Sequence, residues 1–347
     1  MKRNYFLLVC VFVLCLCGSI LAQSSRRVII DTDPGIDDAM AILLALNSPE
    51  LKVEALTVVP GNVEAPQGLE NALKLASLAG RCDLIISGGA QHPLNQKLIT
   101  AQYWHGANGM GAVDLPAPKC KADPRFGPDL IIELVHKYPH DITLIPVGPL
   151  TNIALAVSKD PSIVPLVKDI VIMGGSITGG NVNGAAEANI YNDPEAAAIV
   201  FNAGWMVTMI GSDVGERTLF LRKNQAELKA HPGPESDLIY KLTDYYLSSS
   251  EKSGYTGAAM YDPLAVGTVI DPSLVTLKEM HVDVETKGEF TRGETVANRM
   301  GYEEKNVLHG DHYEIDGLAP IKANSRVCTA SDADRFVQLF VNRIKGK

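Results

Sequence analysis

Positive charge is what this sequence most lacks. Its 347 residues carry 31 lysines and arginines against 40 aspartates and glutamates, a formal net charge of −9. No basic stripe interrupts that balance, which argues against nucleic acid as a partner. Cysteine is also scarce: there are six, and Cys10, Cys15 and Cys17 lie close to the N-terminus. The other three, Cys82, Cys120 and Cys328, are an odd and widely spaced set, from which neither a disulfide framework nor a zinc pattern follows. There is no internal repeat and no low-complexity block; 30 glycines and 20 prolines are spread along the chain as turn punctuation. P-loop and nucleophile-elbow motifs are missing. The glycine cluster at 106–111 has no strand before it and no clear helix after it, so it is not a dinucleotide fingerprint.

A membrane-crossing run is missing too, since that needs about 20 consecutive apolar residues. The one contender, residues 6–16, is shorter, and Gly18 and Ser19 end it. With Lys2 and Arg3 ahead of it and Ala22 behind as a cleavage point, it has the layout of a signal peptide over residues 1–22. The expectation is therefore export, periplasmic or secreted, with no stable membrane span after signal removal. Cys10, Cys15 and Cys17 would leave with the signal.

What is present is a chain 46% hydrophobic, ample for a sizeable core. Strand-like runs at 28–30, 53–59, 84–86, 142–147, 169–173 and 206–210 alternate with helical stretches at 39–46, 64–79 and beyond 149. That alternation predicts an α/β fold, a mostly parallel central sheet flanked by helices. Residues from 280 onward alternate like antiparallel strands before a final helix over 332–344, so a small antiparallel C-terminal portion is expected. Residues 213–250 read as helical. Two long inserts, 87–126 and 174–192, leave the carboxyl ends of predicted strands. Inserts of that length are functional or disordered, and the first, with Tyr103, Trp104 and His105 beside its glycines, reads as a lid.

The densest chemistry lies in DTDPGIDDA, residues 31–39. Asp31, Asp33, Asp37 and Asp38 crowd a Pro-Gly turn between a β-branched strand and a strong helix former. Strand ends are where open α/β sheets bind ligands. One aspartate there would be a helix cap; four repel one another, and a bound hard cation relieves that repulsion. Other strand ends add Asn62, and an insert with Asn181, Asn183, Glu187, Asn189, Asn192 and Asp193. Amides and carboxylates in such density suit a polyhydroxylated ligand, because each sugar hydroxyl both donates and accepts.

Together these motifs resemble the inosine-uridine nucleoside hydrolase family, calcium-dependent N-ribohydrolases. The resemblance rests on DTDPGIDDA, Pro60-Gly61-Asn62, Gly148-Pro149-Leu150-Thr151-Asn152, Met173-Gly174-Gly175, Glu187-Ala188-Asn189 with Asp193-Pro194-Glu195-Ala196, and Asp262-Pro263, all in family order. It covers roughly residues 27–345, read as one nucleoside hydrolase domain with a Rossmann-like fold. It implies Ca²⁺ held by Asp33, Asp38, Asp262 and the backbone carbonyl of Val147. It also implies Asp37, Asn62 and Asn189 on the ribose 2′- and 3′-hydroxyls, with Asn181 and Glu187 near the 5′-hydroxyl. Asp33 would accept a proton from the attacking water, and Asp31 would be a structural member, buried and hydrogen-bonded. The partner implied is a small-molecule nucleoside, and the assembly a homodimer or homotetramer.

The chain departs from the family pattern at one place. Where a histidine commonly precedes the Asp-Pro pair as acid for the leaving base, this chain has Tyr261. A phenol with a pKa near 10 is a poorer acid than imidazolium at neutral pH. Tyr261 is therefore read as the donor or as a stacking wall, with His105 or Trp104 of the lid as alternative helpers. Two rival functions stay open at this point. One is a haloacid-dehalogenase-like phosphatase, suggested by Asp31-Thr32-Asp33 after a strand. The other is an exported nucleoside-binding protein without turnover. His136 and His140, separated by Pro139, read as surface histidines, and His309 with His312 as structural or rim residues. Asp311 and His312 could border the pocket. Tyr240, Tyr245 and Tyr246 read as core and rim, and Trp205 as packing.

Overall fold

A computed structural model describes residues 25–298 and 322–346. His309, Asp311 and His312, like the signal segment, lie outside the described residues. Among those described, nine strands form one sheet in the order β10-β9-β11-β6-β5-β4-β1-β2-β3. They are β1 (Arg26–Thr32), β2 (Leu51–Val58), β3 (Ile85–Gly88), β4 (Ile142–Pro146), β5 (Asp169–Met173), β6 (Val207–Ile210), β9 (Val275–Val284), β10 (Thr295–Asn298) and β11 (Ser325–Ser331). The short β7 (Leu219–Phe220) and β8 (Ala258–Ala259) pair separately. Seven neighbours, from β11 through β3, run parallel. Strands β9 and β10 add the antiparallel edge. The α/β sheet and the antiparallel C-terminal portion are thus both present. The helical reading of 213–250 needs one correction, because β7 interrupts it. Leu219 and Phe220 find a strand partner in β8, a pairing that no local pattern announces.

Sequence makes this sheet parallel by burying both its faces. Val28, Ile29 and Ile30 of β1 are all essentially inaccessible, with no polar alternation, as expected for a strand covered by helices on either side. Ile29 packs in one apolar cluster with Leu144, Ile170 and Ile172; Val28 and Ile30 pack in the other with the helix Ile36–Leu46. That helix is buried along nearly its whole length, and it lies against the helix Tyr261–Ile270. Chain order reverses between β1 and its neighbours β2 and β4, so β1 and β4 flank the switch point of the sheet. In such sheets the crevice outside that point is the ligand site.

The two long inserts do leave strand ends, after β3 and after β5. They are tied to each other: Gln96 Nε2 donates to the carbonyls of Tyr191 and Asn192, at 2.7 and 2.8 Å, and Leu94 N donates to Asp193 Oδ2. A disulfide between Cys82 and Cys120 fastens the return leg of the first insert beside the helix Ala65–Leu78. This corrects the sequence reading of these cysteines. They stand 38 residues apart, and only the path of the insert brings them together. Cys328 stays free and buried, with its thiol pushed up to about 12 by burial.

Candidate active site

The floor of the site is the turn after β1. Asp38 caps the helix Ile36–Leu46, its Oδ2 accepting from Gly35 N at 2.9 Å. The same carboxylate accepts from Thr32 Oγ1 (2.5 Å), Asp33 N (3.2 Å) and Asn62 Nδ2 (2.9 Å). Asp38 therefore knits strand, turn and the β2 loop together. Asp31 is buried behind it, accepting from Thr57 Oγ1 at 2.5 Å and Asn152 Nδ2 at 2.8 Å. That is the structural place expected of it.

Asp33 and Asp37 lie nearer the cavity. Asp33 Oδ2 accepts from Asn62 N at 2.6 Å, but its Oδ1 is buried with no hydrogen-bond partner, as are Asp37 Oδ1 and, behind them, Asp31 Oδ2. Glycines make the room: a Cβ on Gly61 would stand 2.1 Å from Asp33 Oδ2, and one on Gly148 2.5 Å from Oδ1. Family-type turns at 60–62 and 148–152 thus carry glycine because the Asp33 carboxylate occupies that space. Asp262, in the first turn of the helix Tyr261–Ile270, completes the group. Oxygen atoms of Asp37, Asp38 and Asp262 lie within 4.8 Å of one another. Burial pushes every carboxyl here upward, Asp31 to about 7 and Asp37 to about 6. Asp33 and Asp262 rise well above the ordinary range, because neighbouring carboxylates add to the desolvation. An all-oxygen donor set with orphaned buried lone pairs fits a hard divalent cation.

Above this floor opens a cavity of about 330 Å³ lined by residues from both inserts. Asp37, Asn62, Asn181, Glu187, Asn189, Val147, His105, Trp104, Tyr261 and Asp262 all line it. Asp33 and Asp38 sit beneath them. Glu187 caps the helix Ala188–Asn192 and accepts from Gly175 N and Asn189 N, each at 2.9 Å. Its pKa is pushed up to about 7 by burial. Asn189 Nδ2 donates to the Val147 carbonyl at 2.8 Å; a carbonyl keeps a second lone pair for another partner. Asn181 Oδ1 accepts from Ala188 N at 2.9 Å, which fixes the insert against the same helix.

The lid reading holds in position. Ala101 N donates to the Asn62 carbonyl at 3.1 Å, and Asn71 Nδ2 bridges the carbonyls of Pro34 and Asn108. His105 is buried, its Nδ1 accepting from Ile36 N at 3.1 Å, and burial lowers its pKa to about 4. It is therefore a neutral imidazole at physiological pH and a poor proton source. Trp104 is half-buried, with Tyr103 stacked obliquely beside it at 5.7 Å. Tyr261 rises well above the ordinary phenol range, through burial and the charges of Glu216 and Asp37. His136 and His140 are exposed; the former pairs with Asp160 at 2.8 Å.

Several lining residues escaped the sequence reading, Glu216, Ser250 and Tyr255 among them, and Tyr246 was read there only as core and rim. Tyr246 is buried against the cavity from the helix Pro234–Lys252, 6.2 Å from His105 between ring centroids. Glu216 enters from the turn after β6. The strand-end rule that found Asn62 would have reached Glu216 had it been carried three residues past Asp213. Nothing in the sequence distinguishes Tyr246 from Tyr240 and Tyr245, which do not line the cavity.

Comparison with known proteins agrees with this geometry. Residues 28–338 match the family model for inosine-uridine preferring nucleoside hydrolase. The inosine-uridine preferring nucleoside hydrolase of Crithidia fasciculata is 43% identical over 79% of this chain and 88% of its own. The pyrimidine-specific ribonucleoside hydrolase of Citrobacter koseri is 37% identical over 91% and 97%. Among solved structures, the purine-preferring ribonucleoside hydrolase from Gardnerella vaginalis superposes with a TM-score of 0.83 at 35% identity, covering 92% and 98%. The phosphatase reading has no place beside these matches, and among the described residues the cavity lining contains no lysine of the kind it requires. The chain belongs to the inosine-uridine preferring nucleoside hydrolase family and is an enzyme that hydrolyses the N-glycosidic bond of ribonucleosides.

Proposed function

We propose that this hydrolase uses Ca²⁺ at the aspartate floor and Asp33 as the base that activates water. The observation carrying the reading is the pair of buried, unpartnered oxygens, Asp33 Oδ1 and Asp37 Oδ1, beneath a polar cavity. Burying such atoms without a partner costs about 1–3 kcal/mol each, so the fold holds them for something that binds. Asp33, Asp38, Asp262 and the Val147 carbonyl would hold the ion. A bound calcium would supply the positive charge that keeps these carboxylates ionised and would lower the pKa of a bound water.

The rest of the chemistry belongs to the protein's own groups. Asp37, Asn62 and Asn189 hold the ribose 2′- and 3′-hydroxyls, and Asn181 and Glu187 hold the 5′ end. Asp33 Oδ1 takes a proton from water as its oxygen bonds to C1′ and the C1′–N bond breaks. The ring oxygen shares the positive charge at C1′ through an oxocarbenium-like state, and the nearby carboxylates stabilise it. The bond pair leaves with the base as its anion, which Tyr261 steadies by a hydrogen bond while keeping its own proton. Solvent then protonates the anion and takes the proton from Asp33, so that free ribose and neutral free base result and the site is reset.

Export fits the same reading. The signal-like segment 1–22 and the Cys82–Cys120 disulfide both suit an oxidising compartment. A homodimer or homotetramer remains the proposed assembly. One assay tests the chemistry: ribose release from inosine, uridine, adenosine, guanosine and cytidine, with calcium and after chelation. Release that survives chelation would overturn the calcium role. Calorimetric nucleoside binding with no ribose release would overturn the hydrolytic step in this chain.

A further inference from the structure

The aspartate floor accounts for sugar and water, and Tyr261 offers the base a donor, so a charged acceptor for the base has to come from elsewhere in the lining. With ribose held at Asp37, Asn62 and Asn189, the base must lie toward the opposite wall. Trp104, Tyr246 and Tyr261 supply aromatic faces there, and Glu216 supplies the carboxylate. Its backbone is fixed by Glu216 N donating to the Ser212 carbonyl at 2.8 Å. The short helix Ser212–Gly215 is pressed so close to Tyr261 that a Cβ on Gly215 would stand 2.3 Å from the ring. Glu216, the next residue, thus emerges beside the Tyr261 ring and lines the same cavity. The side chain itself makes no hydrogen bond or ion pair among the described residues. It lines the same cavity as Tyr261 and Tyr246, and its charge raises the pKa of both phenols.

A carboxylate with two free oxygens accepts hydrogen bonds and donates none. We propose that Glu216 is the specificity-determining residue of the base pocket, accepting from a ring N–H and an adjacent exocyclic amine, and that it makes guanine the favoured base. Guanine presents N1–H and the 2-amino group side by side, two donors for two acceptors. Hypoxanthine offers only N1–H on that edge. Adenine and cytosine set an acceptor nitrogen beside their amine, and uracil flanks its N–H with two carbonyls, so each turns at least one lone pair toward the carboxylate. A pocket built around a hydrogen-bonding group discriminates most strongly against the analogue that leaves it unpaired.

This inference rests on the nucleoside orientation proposed above, and its test separates the two. Steady-state kcat/KM would be measured for guanosine, inosine and uridine in calcium, for the wild type, Glu216→Gln and Glu216→Ala. The wild type should prefer guanosine, and the guanosine-to-inosine ratio should fall about tenfold in both variants, the scale of one charge-assisted hydrogen bond on an exposed group. Inosine turnover in each variant verifies that it folds. A wild type without guanosine preference, or a ratio moved less than twofold, would overturn the role of Glu216 while leaving hydrolysis intact. Ribose release from uridine but from neither purine nucleoside would overturn the guanine pocket alone; no release from guanosine, inosine or uridine would overturn both readings.

Discussion

The floor and the wall of this cavity are built on opposite principles. The floor stands at the sheet's switch point, on β1, β4 and the first turns of two buried helices. Its carboxylates are inaccessible and locked by backbone donors and glycine contacts. The wall comes from inserts and from the helix Pro234–Lys252. It mixes buried Tyr246 and His105 with half-buried Trp104, exposed Glu216 and Tyr255, which is 60% exposed. Rigid elements hold catalytic geometry tightly, whereas loops carry variation. On the proposed function, water activation would belong to the floor and base choice to the wall. The relatives agree, since proteins named for pyrimidine, purine and inosine-uridine preference share the one family.

The severest way to break this division is to damage the floor. Asp33→Ala removes the unpartnered oxygen without touching the Asp38 cap. Ribose release should fall by at least about 10³-fold, above the lower part of the 10²–10⁴ range for a lost general base, because on the proposed function the same carboxylate would also hold the ion. Substantial activity in a folded Asp33→Ala protein would hand water activation to another group.

The ionisation of the floor gives a second, smaller effect. Carboxyls pushed up to about 6 and 7 retain protons in the folded state that the unfolded chain releases above about pH 4. Without a cation, stability therefore falls as pH rises from about 4 to about 7, since the native state binds more protons in that window. Calcium competes with those protons, so its stabilisation grows with pH. At calcium about a hundredfold above its Kd the gain should be about 2.7 kcal/mol at pH 8, and clearly less at pH 5. Thermal melts with and without calcium at both pH values measure it. An equal calcium shift at both would mean that the ion does not bind these carboxylates.

Floor and wall also differ in how legible they were. The floor is local in sequence: a β-branched strand, a Pro-Gly turn and four aspartates announce themselves within nine residues, and the strand-end rule adds Asn62 and the 181–193 insert. Asp262 is remote, and only the family resemblance brought it to the floor. The wall is assembled from segments with no mutual pattern. Tyr246 looks like its neighbours Tyr240 and Tyr245 until the helix is packed, and Glu216 is one carboxylate among many. The Cys82–Cys120 pair was hidden for the same reason, because its partners meet only after the first insert has returned to the sheet edge. What a chain brings together by topology alone is not written in its spacing.

Tyr261 joins the two regions, since it precedes the floor's Asp262 and faces the wall's Glu216, and it gives the mildest test. Burial and two carboxylates hold its proton firmly, so it is a poor full proton donor but a permanent hydrogen-bond donor. His105, whose ring is neutral at physiological pH, supplies no stronger acid nearby. Tyr261→Phe keeps the ring and removes only the hydroxyl. The expected loss in kcat is about tenfold with KM little changed, less than the 10²–10⁴ of a full general acid. A loss of a thousandfold would make the phenol the acid itself, in spite of its environment. Unchanged turnover would reduce it to part of the wall, and departure of the base would then rest on stacking against Trp104 and Tyr246.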